Sequence, residues 1–266
     1  MVDKRRPARR GGAPSFRTQA IWSTVRELAA TREAQLGRPL SVLDLGGGTG
    51  GLAVPLAELG HDITVVDPSP DALAALERRA AESGVAERIT ARQGDADSLA
   101  EVRPDAGFDL VCCHGVLEVV DDPAATLAAV AVALAPDGRL SLLVAGRLAV
   151  VLAKALTGDF VQAREALTSV DGRWGRTDPL PRRFDITQLG ALLDDNGFTS
   201  EHVHGVRVFS DLVPSGRSTV PPTGSPSSSS SRRWPSTRHT PSLGSSERGS
   251  MSWHGGPDPT RSGAGR

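Results

Sequence analysis

The chain has 266 residues, with 30 basic and 31 acidic side chains, a formal net charge of −1 and 39% hydrophobic residues. That length suits one generous α/β domain or two small ones, and the balanced charge gives the whole chain no polyanion-binding character. No apolar run reaches the roughly 20 residues that cross a bilayer, and the basic start is not followed by an apolar signal stretch, so a soluble, cytoplasmic protein with no membrane partner is expected.

Residues 1–15 are rich in Arg, Gly and Pro and read as a disordered basic leader, although "KRRPARR" could also steer nucleic-acid phosphates. Arg17–Leu36 has the spacing of an amphipathic helix, with Ile21, Val25, Leu28 and Ala29 on one face. Strand-like runs follow at Ser41–Leu45, Asp62–Val66, Arg88–Arg92, Phe108–His114 and Arg139–Ala145. Helical patterns lie between them, at Gly50–Leu59, Pro70–Ser83, Asp97–Val102 and Asp122–Leu134. Short apolar strands alternating with helices predict an α/β, doubly wound, mostly parallel sheet with right-handed crossovers. The adjacent Cys112 and Cys113 should point to opposite faces of a strand and remain unpaired, buried thiols.

After Ala145 the rhythm changes. Leu148–Leu156, Phe160–Val170 and Asp185–Asn196 read as helices, and "DGRWGRTDPLPRRF" as a loop, an insertion placed to cover a ligand mouth. "FTSEHVHGVRVF" reads as a late strand pair, or one strand broken at Gly205. A folded domain is thus expected over residues 16–213. From Pro214 onward the Ser/Pro/Arg-rich composition offers almost nothing to bury, so residues 214–266 are expected to be disordered. A frame-shifted origin also fits this tail: "SMSWHGG" can be written in codons whose shifted frame reads His-Val-Leu-Ala-Arg, a plausible strand.

The chemistry concentrates at the strand ends. Asp44, Gly46, Gly48 and Gly50 are spaced D-x-G-x-G-x-G, a strand-to-helix turn whose glycines let backbone approach a ligand. An acid just before the glycines would repel a pyrophosphate, which argues against NAD, and would suit a ligand with a cationic group. Asp67 ends the next strand, placed to accept from ribose hydroxyls. In "GDADSL", Asp95 could accept from an adenine amino group and the Ala96 N–H could donate to a ring nitrogen, while Asp97 could instead cap the following short helix. The strand in "FDLVCCHGVLEVVDDP" delivers His114 to the crevice where open α/β sheets bind ligands.

Together "VLDLGGGTG", "VVDPSP", "GDADSL", "FDLVCCHGVLEVVDDP" and "LAPDGRLSL" resemble a class I S-adenosylmethionine-dependent methyltransferase. The resemblance implies a Rossmann-like, seven-stranded sheet with a reversed last strand, and S-adenosyl-L-methionine as cofactor. It also implies that Gly46 and Gly48 pass under the methionine moiety, that Asp67 holds the ribose and that Asp95–Ala96 hold the adenine. "FRTQAIWSTVRELA", "HGVLEVVDDP", "GRLAVVLAKALTGDFVQAREAL" and "GVRVFSDL" extend it towards the bacterial tRNA 5-carboxymethoxyuridine methyltransferases, which esterify the carboxylate of a modified wobble uridine. Matching positions add Arg17, facing the methionine carboxylate, and His114. The candidate cofactor-binding residues are therefore Arg17, Asp44, Gly46, Gly47, Gly48, Gly50, Asp67, Asp95, Ala96 and His114. That family closes with a strand of the form "LHVLAR", which this chain lacks in frame, so the sheet is open to lacking its last strand.

Methyl transfer from a sulfonium to an ionised carboxylate is an in-line displacement that needs alignment rather than a general base. This fits a chain with no evident Ser/His/Asp or metal-ligand cluster, and no metal is expected. A carboxylate acceptor needs a cationic anchor. Arg207, and the loop residues Arg173, Arg176, Arg182 and Arg183, are candidates, although the loop reads first as a solvated charge run. His114 and Arg207 are the candidates for substrate positioning. Glu118 could touch substrate or cap a turn, and His202 and His204 read as ordinary strand residues. The acceptor is left as tRNA or a small-molecule metabolite. An inactive nucleotide-binding relative is the remaining alternative.

Overall fold

The structure, a computed structural model, describes residues 16–206 and 250–255. The basic leader, Arg207 and the C-terminal tail apart from residues 250–255 lie outside the described residues, and with them the expectations of disorder there.

Strands β1 (Ser41–Leu45), β2 (Asp62–Asp67), β3 (Ile89–Gln93), β4 (Phe108–His114), β5 (Leu134–Val144), β6 (His202–Val206) and β7 (Ser250–Gly255) form one sheet in the order β3-β2-β1-β4-β5-β7-β6. The first five pair in parallel, and β7 runs antiparallel to both β5 and β6. The helices are α1 (Phe16–Leu36), α2 (Ala53–Glu58), α3 (Pro70–Glu82), α4 (Leu99–Val102), α5 (Pro123–Ala133), α6 (Arg147–Leu156), α7 (Phe160–Thr168) and α8 (Ile186–Asp195). Among the described residues, no helix is long and apolar enough to cross a membrane.

The central strands are apolar along their length because both faces of the sheet are covered. On one face Val42, Ile63, Val65, Leu110 and Cys112 pack with Val25, Ala29, Leu56 and Leu76 of α1, α2 and α3. On the other, Leu43, Val111, Cys113, Leu140 and Leu142 pack with Leu127, Val130 and Leu189 of α5 and α8. Cys112 and Cys113 thus enter opposite cores as free thiols, and burial pushes both pKa values up. Local signals set the helix starts. Ser69 accepts from the Ala72 N–H ahead of Pro70, and Asp122, Asp159 and Asp185 cap α5, α7 and α8 in the same way. At the foot of the sheet, the buried Asp109 carboxylate accepts two bonds from Arg38, at 2.8 and 2.9 Å, and one from the Ser41 N–H.

Four expectations shift. The helix expected from Gly50 starts only at Ala53, since Gly50 has φ 79° and still belongs to the glycine turn. β5 begins at Leu134, ahead of the expected Arg139, because the Pro-Asp-Gly turn is a bulge inside the strand: Phe108 pairs with Leu134, Leu110 with Arg139, and Asp137 sits at φ 58°. The third shift corrects the expectation that the reversed strand could be missing. Residues 250–255, inside the stretch read as a disordered tail, take that position as β7. Ladder bonds are made by backbone, so an unpromising composition does not exclude them. The alternating Met251 and Trp253 stand opposite Val144 and Leu142. β6 runs through Gly205 as a single strand rather than breaking there.

Between β5 and α8, α6 and α7 form the expected insertion. It is tied back by the Phe184 N–H to the Ala145 carbonyl (2.9 Å) and the Arg147 N–H to the Phe184 carbonyl (2.8 Å).

Candidate active site

β1 carries Asp44 to the carboxyl edge of the sheet, where the chain turns through Gly46, Gly47 and Gly48. The Gly46 N–H donates to the Val66 carbonyl at 2.7 Å, fixing the turn to β2. Gly46 and Gly48 have φ 70° and 54°, the left-handed region that favours glycine. At Gly47 the demand is space: a Cβ there would lie 2.5 Å from Asp44 Oδ2. The backbone therefore lies directly on the carboxylate.

Asp44 is 3% exposed, and its Oδ2 has no hydrogen-bond partner among the described residues. Burial, reinforced by the nearby Asp67, raises its pKa to about 7. Asp67 ends β2 and is differently placed. Its Oδ2 accepts from the Gly48 N–H at 2.8 Å and its Oδ1 from the Ser69 N–H at 2.9 Å, so it braces the glycine turn and the start of α3 together. β3 ends beside it, with the Gly94 N–H donating to the Asp67 carbonyl at 3.2 Å. Asp95 then caps a 3₁₀ turn over Ala96–Ser98, its Oδ1 accepting from the Asp97 N–H at 3.0 Å, so the capping role falls to Asp95 rather than Asp97. Ala96 is buried. β4 ends in His114, whose Nε2 lies 2.9 Å from Ser141 Oγ on β5.

A cavity of about 250 Å³ opens at this edge, walled by Asp44, Gly46, Gly47 and His114, with Ile21 and Leu143 as apolar sides. Four of the candidate cofactor residues thus meet around one space. Gly48 and Asp67 are joined to each other beside it, and Asp95 and Ala96 stand at the next strand end. Gly50 lies in the turn against Leu76 and does not border the space. Arg17 is in the first turn of α1, one turn before Ile21, and its side chain lies outside the described residues, as does all of Arg207. Ile21 was read only as part of the apolar face of α1, and Leu143 and Ser141 were not singled out from the sequence, since apolar strand positions read as core and a lone strand serine carries no signal.

The basic loop separates into different roles. Arg183 is buried and paired through both of its terminal nitrogens with buried Asp178, which also accepts from the N–H groups of Trp174 and Leu180. Burial pushes Asp178 up, but the guanidinium and the N–H donors outweigh it and hold the carboxyl below its ordinary value. Arg183 is therefore a latch and not a substrate anchor, because its charge is already matched. Arg182 donates to the Asp121 carbonyl at 3.2 Å, whereas Arg176 is exposed. Lys154 of α6 stands 3.7 Å over the Trp174 ring. Glu118 is buried and its Oε1 accepts from the Ala145 N–H at 2.7 Å, a brace between the β4–α5 loop and the end of β5. His202 and His204 stack at 6.2 Å, and no cluster able to hold a metal occurs among the described residues.

The arrangement suits a ligand with a cationic end over Asp44 and hydroxyl groups beside Asp67. A pyrophosphate would meet two carboxylates there. Residues 15–203 match the family model described as a methyltransferase domain. A tRNA 5-carboxymethoxyuridine methyltransferase of Escherichia coli O157:H7 is 29% identical over 198 residues, covering 74% of this chain and 73% of that protein. A ubiquinone biosynthesis O-methyltransferase of Xanthomonas euvesicatoria pv. vesicatoria is 35% identical over 136 residues, about half of each chain (51% and 52%). The crystal structure of magnesium protoporphyrin IX methyltransferase from Synechocystis PCC 6803, with bound SAH, shares the fold at a TM-score of 0.53, with 21% identity over 74% of this chain and 83% of that one.

Proposed function

Since the chain belongs to the methyltransferase-domain family and is a class I S-adenosylmethionine-dependent methyltransferase, we propose that its methyl acceptor is the carboxylate of a modified wobble uridine in tRNA. One observation carries this reading. A match of 198 residues within 266 must run through α6, α7 and the loop after them, wherever it begins, so the likeness to the tRNA enzyme includes the insertion that follows β5. The half-length match to the ubiquinone enzyme carries no such requirement. It does support a second reading, a small-molecule acceptor.

The geometry supports a reading of the donor site. The unpartnered Oδ2 of Asp44 is a buried acceptor suited to an ammonium group, and the Gly46–Gly48 turn leaves backbone rather than side chains along the ligand. Asp67 keeps acceptor capacity beyond its two backbone donors and is assigned to the ribose. Asp95 and Ala96 are assigned to the adenine, and Arg17 to the methionine carboxylate. S-adenosylmethionine, when bound, supplies the electrophilic methyl carbon. The chain's own part is to hold and orient both partners and to keep water out, with Ile21 and Leu143 as apolar walls. No side chain is required to take a proton, because a carboxylate acceptor is already ionised. Arg176, Arg182 and Arg207 are the cations assigned to the acceptor.

The reading is tested by incubating the full chain with S-adenosylmethionine and tRNA bearing the unesterified uridine, then analysing nucleosides by mass spectrometry. A gain of one methyl group at that uridine supports it. Donor binding without nucleoside methylation, together with methylation of a phenol or small carboxylic acid, establishes the second reading instead.

A further inference from the structure

Ser141 is 1% exposed in the middle of β5, between Leu140 and Leu142, which face the opposite core. Its register partner on β4 is Cys112, and Cys112 is in turn opposite Asp44 on β1. Asp44, Cys112 and Ser141 therefore form one row across three strands, on the face that carries α1. His114 stands two residues beyond Cys112 and so on the same face. A hydroxyl buried in such a place is costly unless hydrogen-bonded. Its bond to His114 Nε2 reaches along the sheet to an imidazole that borders the cavity with Asp44 and Gly47.

The ring of a histidine at a strand end turns in a broad, roughly two-fold torsion, and flipping it exchanges nitrogen for carbon at each position. A fixed oxygen at 2.9 Å from Nε2 removes that freedom, because the flipped ring presents a carbon to Oγ. A hydroxyl can donate to neutral Nε2 or accept from protonated Nε2–H, so the constraint holds in either protonation state. We propose that Ser141 is a positioning residue for the methyl-donor site, fixing the ring orientation of His114 so that the imidazole presents one set edge to the bound donor. The proposal rests on the reading that this cavity holds the donor.

The test uses the full-length, ¹⁵N-labelled protein and reads the imidazole nitrogens directly, with the His114 signals identified by their loss in His114→Gln. Ser141→Ala is expected to move both His114 nitrogen shifts and to weaken S-adenosylmethionine binding, measured by calorimetry, by about 2- to 10-fold, the loss of one hydrogen bond. Ser141→Thr, which keeps the hydroxyl on a residue that suits a strand, is expected to restore both. Unchanged His114 shifts in Ser141→Ala, unchanged donor affinity there, or a threonine variant that behaves as the alanine one, each overturns the proposal. If Ser141→Ala fails to fold, Ser141→Cys, of similar size with a weaker hydrogen-bonding group, is read by the same two criteria. A wild-type chain that does not bind S-adenosylmethionine overturns the site reading instead, and the nitrogen shifts still decide whether Ser141 orients His114.

Discussion

Asp44 and Asp67 are two carboxylates at neighbouring strand ends with opposite circumstances. Asp67 spends both oxygens on backbone donors, whereas Asp44 is buried with one oxygen unmatched and a pKa raised to about 7. The folded chain therefore keeps a proton on Asp44 up to about pH 7, while the unfolded chain releases it near pH 4. Folding stability without ligand is expected to fall as pH rises through that window, by at most on the order of 4 kcal/mol. Asp44→Asn should flatten this dependence in thermal melts at a series of pH values. Affinity for the cationic donor has the opposite slope. It should rise as Asp44 ionises through pH 7, and calorimetry should show that rise abolished, and affinity lowered, in Asp44→Asn. For Asp67→Ala the expected loss of donor affinity is roughly 1–3 kcal/mol, and an unchanged affinity would remove it from the ribose site. The strand-end positions of both acids were legible in the sequence because each follows an apolar run. Their different environments were not, since those depend on which backbone N–H groups the folded turn aims at each oxygen.

At the scale of elements, the insertion after β5 ends in a loop organised by one buried carboxylate. The loop between α7 and α8 is folded around Asp178, which receives Arg183 and two backbone donors. Removing one partner of a buried pair is expensive, so Asp178→Ala should destabilise this region by about 3–5 kcal/mol. Limited proteolysis should then cut between residues 171 and 184 while the sheet stays intact. The pair has an acid limit as well. Because the folded pKa of Asp178 is depressed, its contribution is present above the unfolded carboxylate value and is lost as pH falls through the lower, folded one. The helices and central strands were largely legible, from helical patterns such as Pro70–Ser83 and from apolar runs such as "DLVCC". The loop was legible only as a run of charge. Which arginine is matched internally and which faces solvent depends on the fold of the loop, and spacing alone does not encode it.

For the whole molecule, the least legible feature is the sheet's completion. β7 comes from a segment with little to bury, and only the ladder identifies it as a strand. Among the described residues, β6 pairs with no strand except β7. A chain ending at residue 249 is therefore expected to lose both strands from the sheet, exposing the edge of β5. It should show lower strand content by circular dichroism and concentration-dependent aggregation by light scattering. If the acceptor is tRNA, binding by the intact chain should weaken steeply between 50 and 200 mM salt, which a small-molecule acceptor would not produce. The same connectivity has a consequence in time. Val144 pairs with Met251, about a hundred residues further along the chain, whereas β1 and β2 are joined through a single short helix. Closing so long a loop is entropically late, so the first five strands should assemble as an early unit and the last two dock in a separate, slower phase. Ser141 and the end of β5 then form the rim of an unfinished sheet until residues 250–255 arrive, which makes the period before docking the interval in which this chain is most exposed to misassociation.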